Sequence, residues 1–381
     1  MEQELPKVHQ SFVKTMVEKY GDSQEHADRI AEDFMQVFID SANYGFSVNH
    51  SMAYSYIGYI ATWLRYYYPL EFCTAAFEVW KDKKDKINKI TKFAKERGIQ
   101  LKPVKFGKSK GLYYMDKDTD TIYEGTATIK GCNAKIGDIL YEYGQNTYDS
   151  FIDMLIDLYE NKIYTLGGDK YSVLDIYHKY SIADIKKIDK CIKTKSNGYS
   201  YEQSEEKTSV NAKNVLNLIA LGYFGQFGSR KKLTILLNKF KSCYHVNNKT
   251  LVNKHNKYMG LLALEQGLSD DEYPLLTILK KEHELLGRCI SVNHAIDSQL
   301  MYVVDFTLLS NKAKVTLYSP KFGKEAIAFT TKKTAKNIAN DMLVKVTGIA
   351  KKPKNVLVDG QWRKSKTDYE HWITNIKMLG R

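Results

Sequence analysis

Apolar side chains recur at helical spacing from the start of this chain. Phe12, Val13, Met16 and Val17 mark one face, and Ala27, Ile30, Ala31, Phe34, Val37 and Phe38 mark another. The Gly21-Asp22-Ser23 break between them predicts two helices over residues 9–39, with Ser23 as the N-cap of the second. A third helix is predicted from His50 to Pro69, apolar and aromatic on several faces. A fourth runs from Leu70 to Trp80, and a charged fifth from about Lys84 to Arg97 stops at Gly98. The period then changes. Ile99-Gln-Leu-Lys-Pro-Val alternates like a strand, and Leu112-Tyr-Tyr-Met and Thr121-Ile-Tyr read as a hairpin closed by Asp116-Lys-Asp-Thr-Asp. Residues 126–158 return to helix, residues 160–212 read as polar loops around one or two short helices, and apolar periodicity resumes over Val215–Phe240. A linker with one helix follows over 245–288. Runs beginning at Tyr302, Lys314, Ala326 and Leu343 read as strands, with a helix over Lys332–Asn340, so residues 295–381 are expected to close into a small barrel or sandwich.

Composition narrows the class of partner. The apolar fraction is ordinary for a chain of 381 residues, enough for two or three domains with real cores. The net charge of +13 favours a polyanion, nucleic acid before an anionic membrane surface, although lysine enrichment also accompanies the high Tyr, Asn and Ile usage of an AT-rich genome. Cys73, Cys132, Cys191, Cys243 and Cys289 lie far apart with no CxxC pair, which argues against a zinc ribbon or disulfide scaffold and suits a reducing cytoplasm. The first residues show no basic stretch followed by an apolar one, so no signal peptide is expected. The apolar run Tyr54–Leu64 is too short to span a bilayer.

One segment carries a specific signature. Ala42-Asn-Tyr-Gly-Phe-Ser-Val-Asn-His-Ser-Met-Ala-Tyr delivers His50 to the start of a long aromatic helix that ends in Tyr68-Pro-Leu-Glu-Phe. A histidine at a helix N-terminus, beside backbone N–H groups that carry partial positive charge, can donate to a phosphate; it can equally cap or pack locally. This run resembles the fingers signature of the bacterial DNA polymerase III alpha subunit, the C-family replicative polymerase. Tyr44, Gly45, Phe46, His50, Ala53, Tyr54, Leu64, Tyr68, Pro69, Glu71 and Phe72 match; where the family has an asparagine and a basic residue, this chain has Ser47 and Val48. The resemblance implies that His50, Ser47, Asn49, Tyr54 and Arg65 face nucleotide and primer–template.

Three further segments fit in order. Thr126-Ala-Thr-Ile-Lys-Gly-Cys-Asn-Ala-Lys-Ile-Gly resembles a helix-hairpin-helix, which aims backbone N–H groups at a DNA phosphate and needs a small or left-handed residue at its turn. Gly131 supplies the first such residue and Asn133 replaces the second glycine, with Lys130 and Lys135 flanking. Val215 to Leu233 is similar to a second family segment, in which Ser229, Arg230 and Lys231 begin a helix; a lysine-rich helix end is also commonly just solvated. Glu282-His-Glu-Leu-Leu-Gly-Arg-Cys-Ile-Ser resembles the family's segment before its OB-fold. An OB barrel binds single strands through exposed aromatics and a basic groove, for which the candidates are Tyr318, Lys321 and Phe322, with Tyr302, Phe306, Phe329, Lys314 and Lys324 behind them; alternating aromatics on strands are more often core.

The fold class expected is multidomain α+β: a helical fingers-like domain (1–98), a helix-hairpin-helix DNA-binding region with a small β-hairpin (99–244), a helical linker (245–294) and an OB-like β-barrel (295–381). Asp116, Asp118 and Asp120 alternate as a two-metal motif does, but their polar surroundings fit a turn, so no catalytic or metal-binding residue is assigned. No Walker A loop, GxSxG or HExxH is present. The resemblance implies the carboxy-terminal half of such a polymerase, encoded separately or cut from a longer chain. It would grip primer–template DNA and depend on a palm-bearing polypeptide, which would hold Mg2+; no cofactor is expected on this chain. A sliding clamp or other replication proteins are further partners, no membrane is involved, and the location is cytoplasmic. The competing expectations are a stand-alone, non-catalytic DNA-binding protein of polymerase ancestry and a protein–protein adaptor.

Overall fold

Up to residue 158 the helices and the hairpin follow one another largely as the hydrophobic pattern predicts, and further elements appear after that residue. The computed structural model describes residues 5–41, 48–160, 162–196, 198–203, 208–245, 250–358 and 361–380. The chain forms two compact units, residues 1–69 and 70–381.

The described residues of the first unit form α1 (Leu5–Tyr20), α2 (Gln24–Ser41) and α3 (Val48–Tyr67). Gly21 adopts the left-handed backbone (φ 71°) that ends α1, and the Ser23 hydroxyl accepts from the His26 N–H at 3.3 Å, the cap expected for α2. Val13, Ala27 and Ala31 make the contact between α1 and α2, with the Phe12 and Phe34 rings stacked at 6.2 Å. The stripe on α2 is not used to its end: Val37 and Ile39 are exposed.

The second unit opens with α4 (Pro69–Trp80) and α5 (Lys84–Glu96), which pack on a small sheet of β1 (Gln100–Lys102), β2 (Tyr114–Asp116) and β3 (Thr121–Tyr123) in the order β1-β3-β2. Leu70, Cys73, Phe77, Ile90, Ala94 and Ile122 form that core. The β2–β3 hairpin is antiparallel as predicted. The Asp118 N–H donates to the Asp116 carboxylate at 3.2 Å and Asp120 is left-handed (φ 47°), so the alternating aspartates build a turn.

A larger core gathers α6 (Ala134–Tyr143), α7 (Phe151–Tyr159), α8 (Val173–Lys179), α9 (Ile182–Thr194), α10 (Ala212–Ala220), α11 (Arg230–Cys243) and α12 (Leu251–Gly267). α7 is buried along almost its whole length. Its N-terminus is therefore satisfied inside the protein, by Ser150 accepting from the Asp153 N–H and by Glu265 accepting from the Phe151 and Ile152 N–H groups at 2.9 and 3.2 Å. The region expected to be loops around helices carries a sheet as well: β4 (Lys162–Leu166) lies between β5 (Asp169–Ser172) and β6 (Ser200–Gln203). The linker expected to hold one helix holds two, α12 and α13 (Leu275–Leu286).

The last described segment is a closed five-stranded barrel of β7 (Leu300–Leu308), β8 (Ala313–Ser319), β9 (Lys324–Thr330), β10 (Leu343–Val358) and β11 (Gln361–Gly380), with α14 (Lys332–Ala335) before β10. The strand order is β10-β11-β9-β8-β7. Closure comes from β10 pairing with β7 and from a parallel contact between Trp372 of β11 and Phe329 of β9. That is an OB-like barrel. Val303, Val315, Ala328, Val344, Val346 and Ile373 fill it. The architecture is thus multidomain α+β with helical regions followed by a small barrel. Among the described residues no helix is long and apolar enough to cross a membrane.

Inside the larger core sits an ion pair. The Lys254 ammonium donates to both Glu160 carboxylate oxygens at 2.7 and 2.9 Å, the Tyr244 hydroxyl donates to the same carboxylate at 2.8 Å, and the two charged side chains are 1% and 2% exposed. Burial pushes the Lys254 ammonium down from its ordinary value, so the pair survives only because the carboxylate opposes that shift. Lys254→Ala, which leaves Glu160 buried and under-satisfied, is expected to lower the unfolding free energy by about 3–5 kcal/mol. Urea denaturation measures this, and a loss below about 1 kcal/mol would contradict the account. Beside the pair, the His255 ring faces Tyr177 and Tyr258, its Nδ1 buried without a partner; burial pushes its pKa below 6.5. The unfolded state then binds more protons, so stability is complete above pH 6.5 and falls as pH drops below it. His255→Phe should flatten that acid limb of a midpoint-against-pH curve; an unchanged limb would remove His255 as its cause.

Candidate nucleic-acid interface

The residues that the sequence singles out fall in four places: α3, the turn before α6, the start of α11 and the barrel. The first is α3. Ser47 lies outside the described residues, and the backbone of Asn49 is in the first helical turn. His50 and Tyr54 stand one turn apart with ring centroids 4.5 Å from each other. Arg65 is in the last turn. At 1.5 Å per residue His50 and Arg65 are about 22 Å apart along the axis, so the two cannot share one phosphate. Tyr54, Tyr56, Tyr59, Tyr66 and Tyr67 project outward along the helix, each pairing a ring face with a hydroxyl.

The second place is the turn before α6. Gly131 is left-handed (φ 83°), as a tight turn needs. Two expectations are corrected here. The element before the turn is a single 3-10 turn over Thr126–Thr128 instead of a helix. Asn133 is extended (φ −124°) and serves as the N-cap of α6, its side chain accepting from the Ile136 N–H at 3.1 Å, so it does not stand in for a left-handed glycine. The turn is held from outside: the Lys130 N–H donates to the Leu285 carbonyl at 2.8 Å, the Cys132 N–H donates to Ile129, and Asn214 and Asn217 on α10 donate to the Gly131 and Lys130 carbonyls. What the turn offers a polyanion is therefore chiefly its exposed Lys130 and Lys135 side chains.

The start of α11 is equally committed. Ser229 caps the helix through the Lys232 N–H, while its own N–H donates to the Asp270 carboxylate at 2.6 Å and its hydroxyl to the Asp271 carbonyl. Arg230 donates to the Ala220 carbonyl at 3.1 Å and pairs with Glu272 at 2.9 Å and the buried Glu282 at 3.8 Å. Ser229 and Arg230 thus hold elements together, and the acidic 270–272 segment covers the helix end; Lys231 is the exposed cation of the three.

The barrel corrects the last set. Tyr318 is buried and its hydroxyl donates to the Ser291 carbonyl at 2.8 Å, which makes it a core residue and not a stacking platform. Phe322 is exposed in the β8–β9 turn beside Lys321, whose carbonyl contacts His294. A denser aromatic and cationic cluster lies where β11 meets β9, beside the β7–β8 loop. The Lys312 ammonium sits 3.7 Å from the Phe329 ring and 5.6 Å from the Trp372 ring, and Lys352 sits 4.0 Å above Trp372. Glu370 accepts from Lys312 at 2.7 Å and from the Trp372 indole N–H at 3.2 Å, fixing the ring. Lys312 is in the loop joining the first two strands of the barrel. That loop and the face of the second and third strands are where OB barrels take oligonucleotides. Trp372 and Lys352 lie outside the strands expected from sequence, the last of which ends at Ala350, and their strands β11 and β10 run past that point. Among the described residues no group of three His, Cys, Asp or Glu side chains converges as a metal site would.

No family model matches the chain. The chain is 26% identical over 226 residues to the DNA polymerase III subunit alpha of Buchnera aphidicola from Schizaphis graminum, covering 58% of this chain and 18% of the relative. It is 24% identical over 315 residues to the same subunit of Campylobacter jejuni, 77% of this chain and 22% of the relative. It is 32% identical over 130 residues to that of Ureaplasma parvum, 33% of this chain and 13% of the relative. Each match thus spans less than a quarter of the relative's length. The chain is a relative of the bacterial DNA polymerase III alpha subunits, similar to them over a part of their length.

Proposed function

We propose that this chain is the fingers and DNA-binding portion of a DNA polymerase III alpha-like polymerase, gripping primer–template DNA while another polypeptide supplies the palm. The observation that supports the reading is the cluster of Lys312, Phe329, Trp372 and Lys352 on an OB-like barrel, beside the loop that in OB folds meets oligonucleotides, in a chain similar to DNA polymerase III alpha subunits. A net charge of +13 supports a polyanionic partner. On this reading α3 lies along nucleotide and template, with His50, Asn49, Tyr54 and Arg65 as its contacts and Ser47 at its approach. Lys130, Lys135 and Lys231 attract duplex phosphates. The barrel face takes the single strand. Nucleotidyl transfer needs carboxylates that bring two metal ions together, so Mg2+ and the palm belong to the partner. A sliding clamp or other replication proteins are further partners, and the chain works in the cytoplasm.

Two measurements test this. Binding to primed template should weaken linearly in log affinity against log salt. Trp372→Ala should weaken binding to a single-stranded overhang by about 1–3 kcal/mol with the salt slope unchanged, whereas Lys130→Ala should lower the slope; a Trp372→Ala variant of wild-type affinity would remove the barrel face. In primer extension, a mixture with a palm-bearing polypeptide should extend where neither chain does alone, and His50→Ala or Arg65→Ala should slow it. A mixture that does not extend, from a chain that still binds primed DNA, would leave the second reading: a stand-alone binding protein, which the loss of a basic residue at Val48 favours.

A further inference from the structure

A cavity of about 500 Å3 opens in the second unit between the 107–110 loop, β2 and the end of α6, away from the barrel residues used above. Its volume is that of small-molecule sites. Tyr114, Tyr141, Lys108, Asp116, Lys117 and Gln145 line it. The cavity is built into the backbone: a Cβ on Gly107 would stand 2.7 Å from the Gly144 carbonyl oxygen, and a Cβ on Gly144 2.3 Å from the Gly107 Cα, so only two glycines let these segments meet. Gln145 pins the junction, donating to the Tyr141 and Gly107 carbonyls at 2.9 and 3.3 Å.

The chemistry of the walls is specific. The Tyr114 and Tyr141 rings meet edge to face with centroids 5.5 Å apart, and the Lys110 ammonium lies 4.2 and 4.6 Å from them. At the rim Lys108 stands 3.7 Å from Asp116 and Lys117 is 2.7 Å from Glu71, and both lysines are more than half exposed. Two aromatic rings with Lys108, Lys110 and Lys117 beside them, and Asp116 and Asp118 in the same wall, fit a planar base whose attached phosphate lies at the exposed lysine rim. Lys135 and Tyr141 are six residues apart on α6, about 9 Å along the axis, which is within the reach of one or two nucleotides from the exposed Lys130–Lys135 turn.

We propose that this cavity takes one unpaired nucleotide of a DNA single strand, its base against Tyr114 and Tyr141 and its phosphate on Lys108 and Lys117. The proposal rests on the DNA-binding reading and adds to it a second single-strand site, separate from the barrel. The test is fluorescence anisotropy with the full chain carrying Trp372→Ala, which removes the barrel's stacking. A primed template with a ten-nucleotide overhang is compared with a blunt duplex of equal length. Tyr141→Leu should weaken overhang binding by about 5- to 150-fold, the range for one stacked base, and leave the blunt duplex within twofold. Tyr141→Phe, which keeps the ring, should retain wild-type affinity. Lys108→Gln, at an exposed position, should also weaken the overhang and decides the matter if Tyr141→Leu does not fold. Overhang affinity indifferent to both changes overturns the proposal while DNA binding itself stands. A chain with native Trp372 that binds neither DNA overturns the DNA-binding reading and this proposal with it. Equilibrium dialysis against free dTMP forms the second arm: binding weaker than millimolar is expected, and micromolar binding that Tyr141→Leu abolishes would replace the strand with a free nucleotide and overturn the assignment.

Discussion

The second unit is organised around one buried carboxylate. Glu282 is fully buried on α13 and accepts from the Ile290 and Ser291 N–H groups at 2.8 and 3.0 Å, from the Ser291 hydroxyl, and faces the Arg230 guanidinium at 3.8 Å. A carboxylate removed from water is tolerable only when its oxygens are satisfied in this way. The donors come from two pieces of the fold. Arg230 brings α11 and, through its bond to Ala220, α10; Ile290 and Ser291 begin the path into the barrel. One turn along α13 the Leu285 carbonyl accepts from Lys130, and just beyond it Arg288 pairs with Glu124 next to β3. The hairpin, the small sheet, the helical core and the barrel are all tied to this helix.

That constraint redistributes charge. Sequence alone offers Ser229 and Arg230 to a phosphate, yet Asp270, Glu272 and Glu282 use them to position α11. The outward cations are elsewhere: Lys130 and Lys135 at the turn, Lys108 and Lys117 at the cavity, Lys352 on the barrel. Aromatic rings accompany the last two groups and not the first, which divides the surface into places suited to backbone and places suited to bases.

The sequence was most informative where a local rule acts alone. The Gly21–Ser23 break, Gly98, and the β2–β3 hairpin follow from turn and cap chemistry over a few residues. Strand order in the barrel was not legible, because closure depends on the Phe329–Trp372 contact between distant segments. In the sheet of β4, β5 and β6 the strand β6 shows no buried position to create an alternating pattern, while β4 buries Tyr164 and Leu166 in alternation and Gly167-Gly168, both left-handed, supply the hairpin signal. For the candidate sites, sequence marks residue types but not their engagements. Asn133, Ser229, Arg230 and Tyr318 have the chemistry for DNA contact and spend it inside the protein. Trp372 and the tyrosine cavity depend on segments that meet only in the fold.

The central claim is that DNA lies on these particular surfaces, and photo-crosslinking tests it most directly. A primed template carrying 5-iodo-deoxyuridine through its single-stranded portion is irradiated in complex with the full chain, and the crosslinked peptides are mapped. The account predicts adducts in the peptides containing Phe329 and Trp372, lost when excess unlabelled single strand is added. Crosslinks spread evenly over the lysine-rich surface, with none at the barrel face, would contradict it.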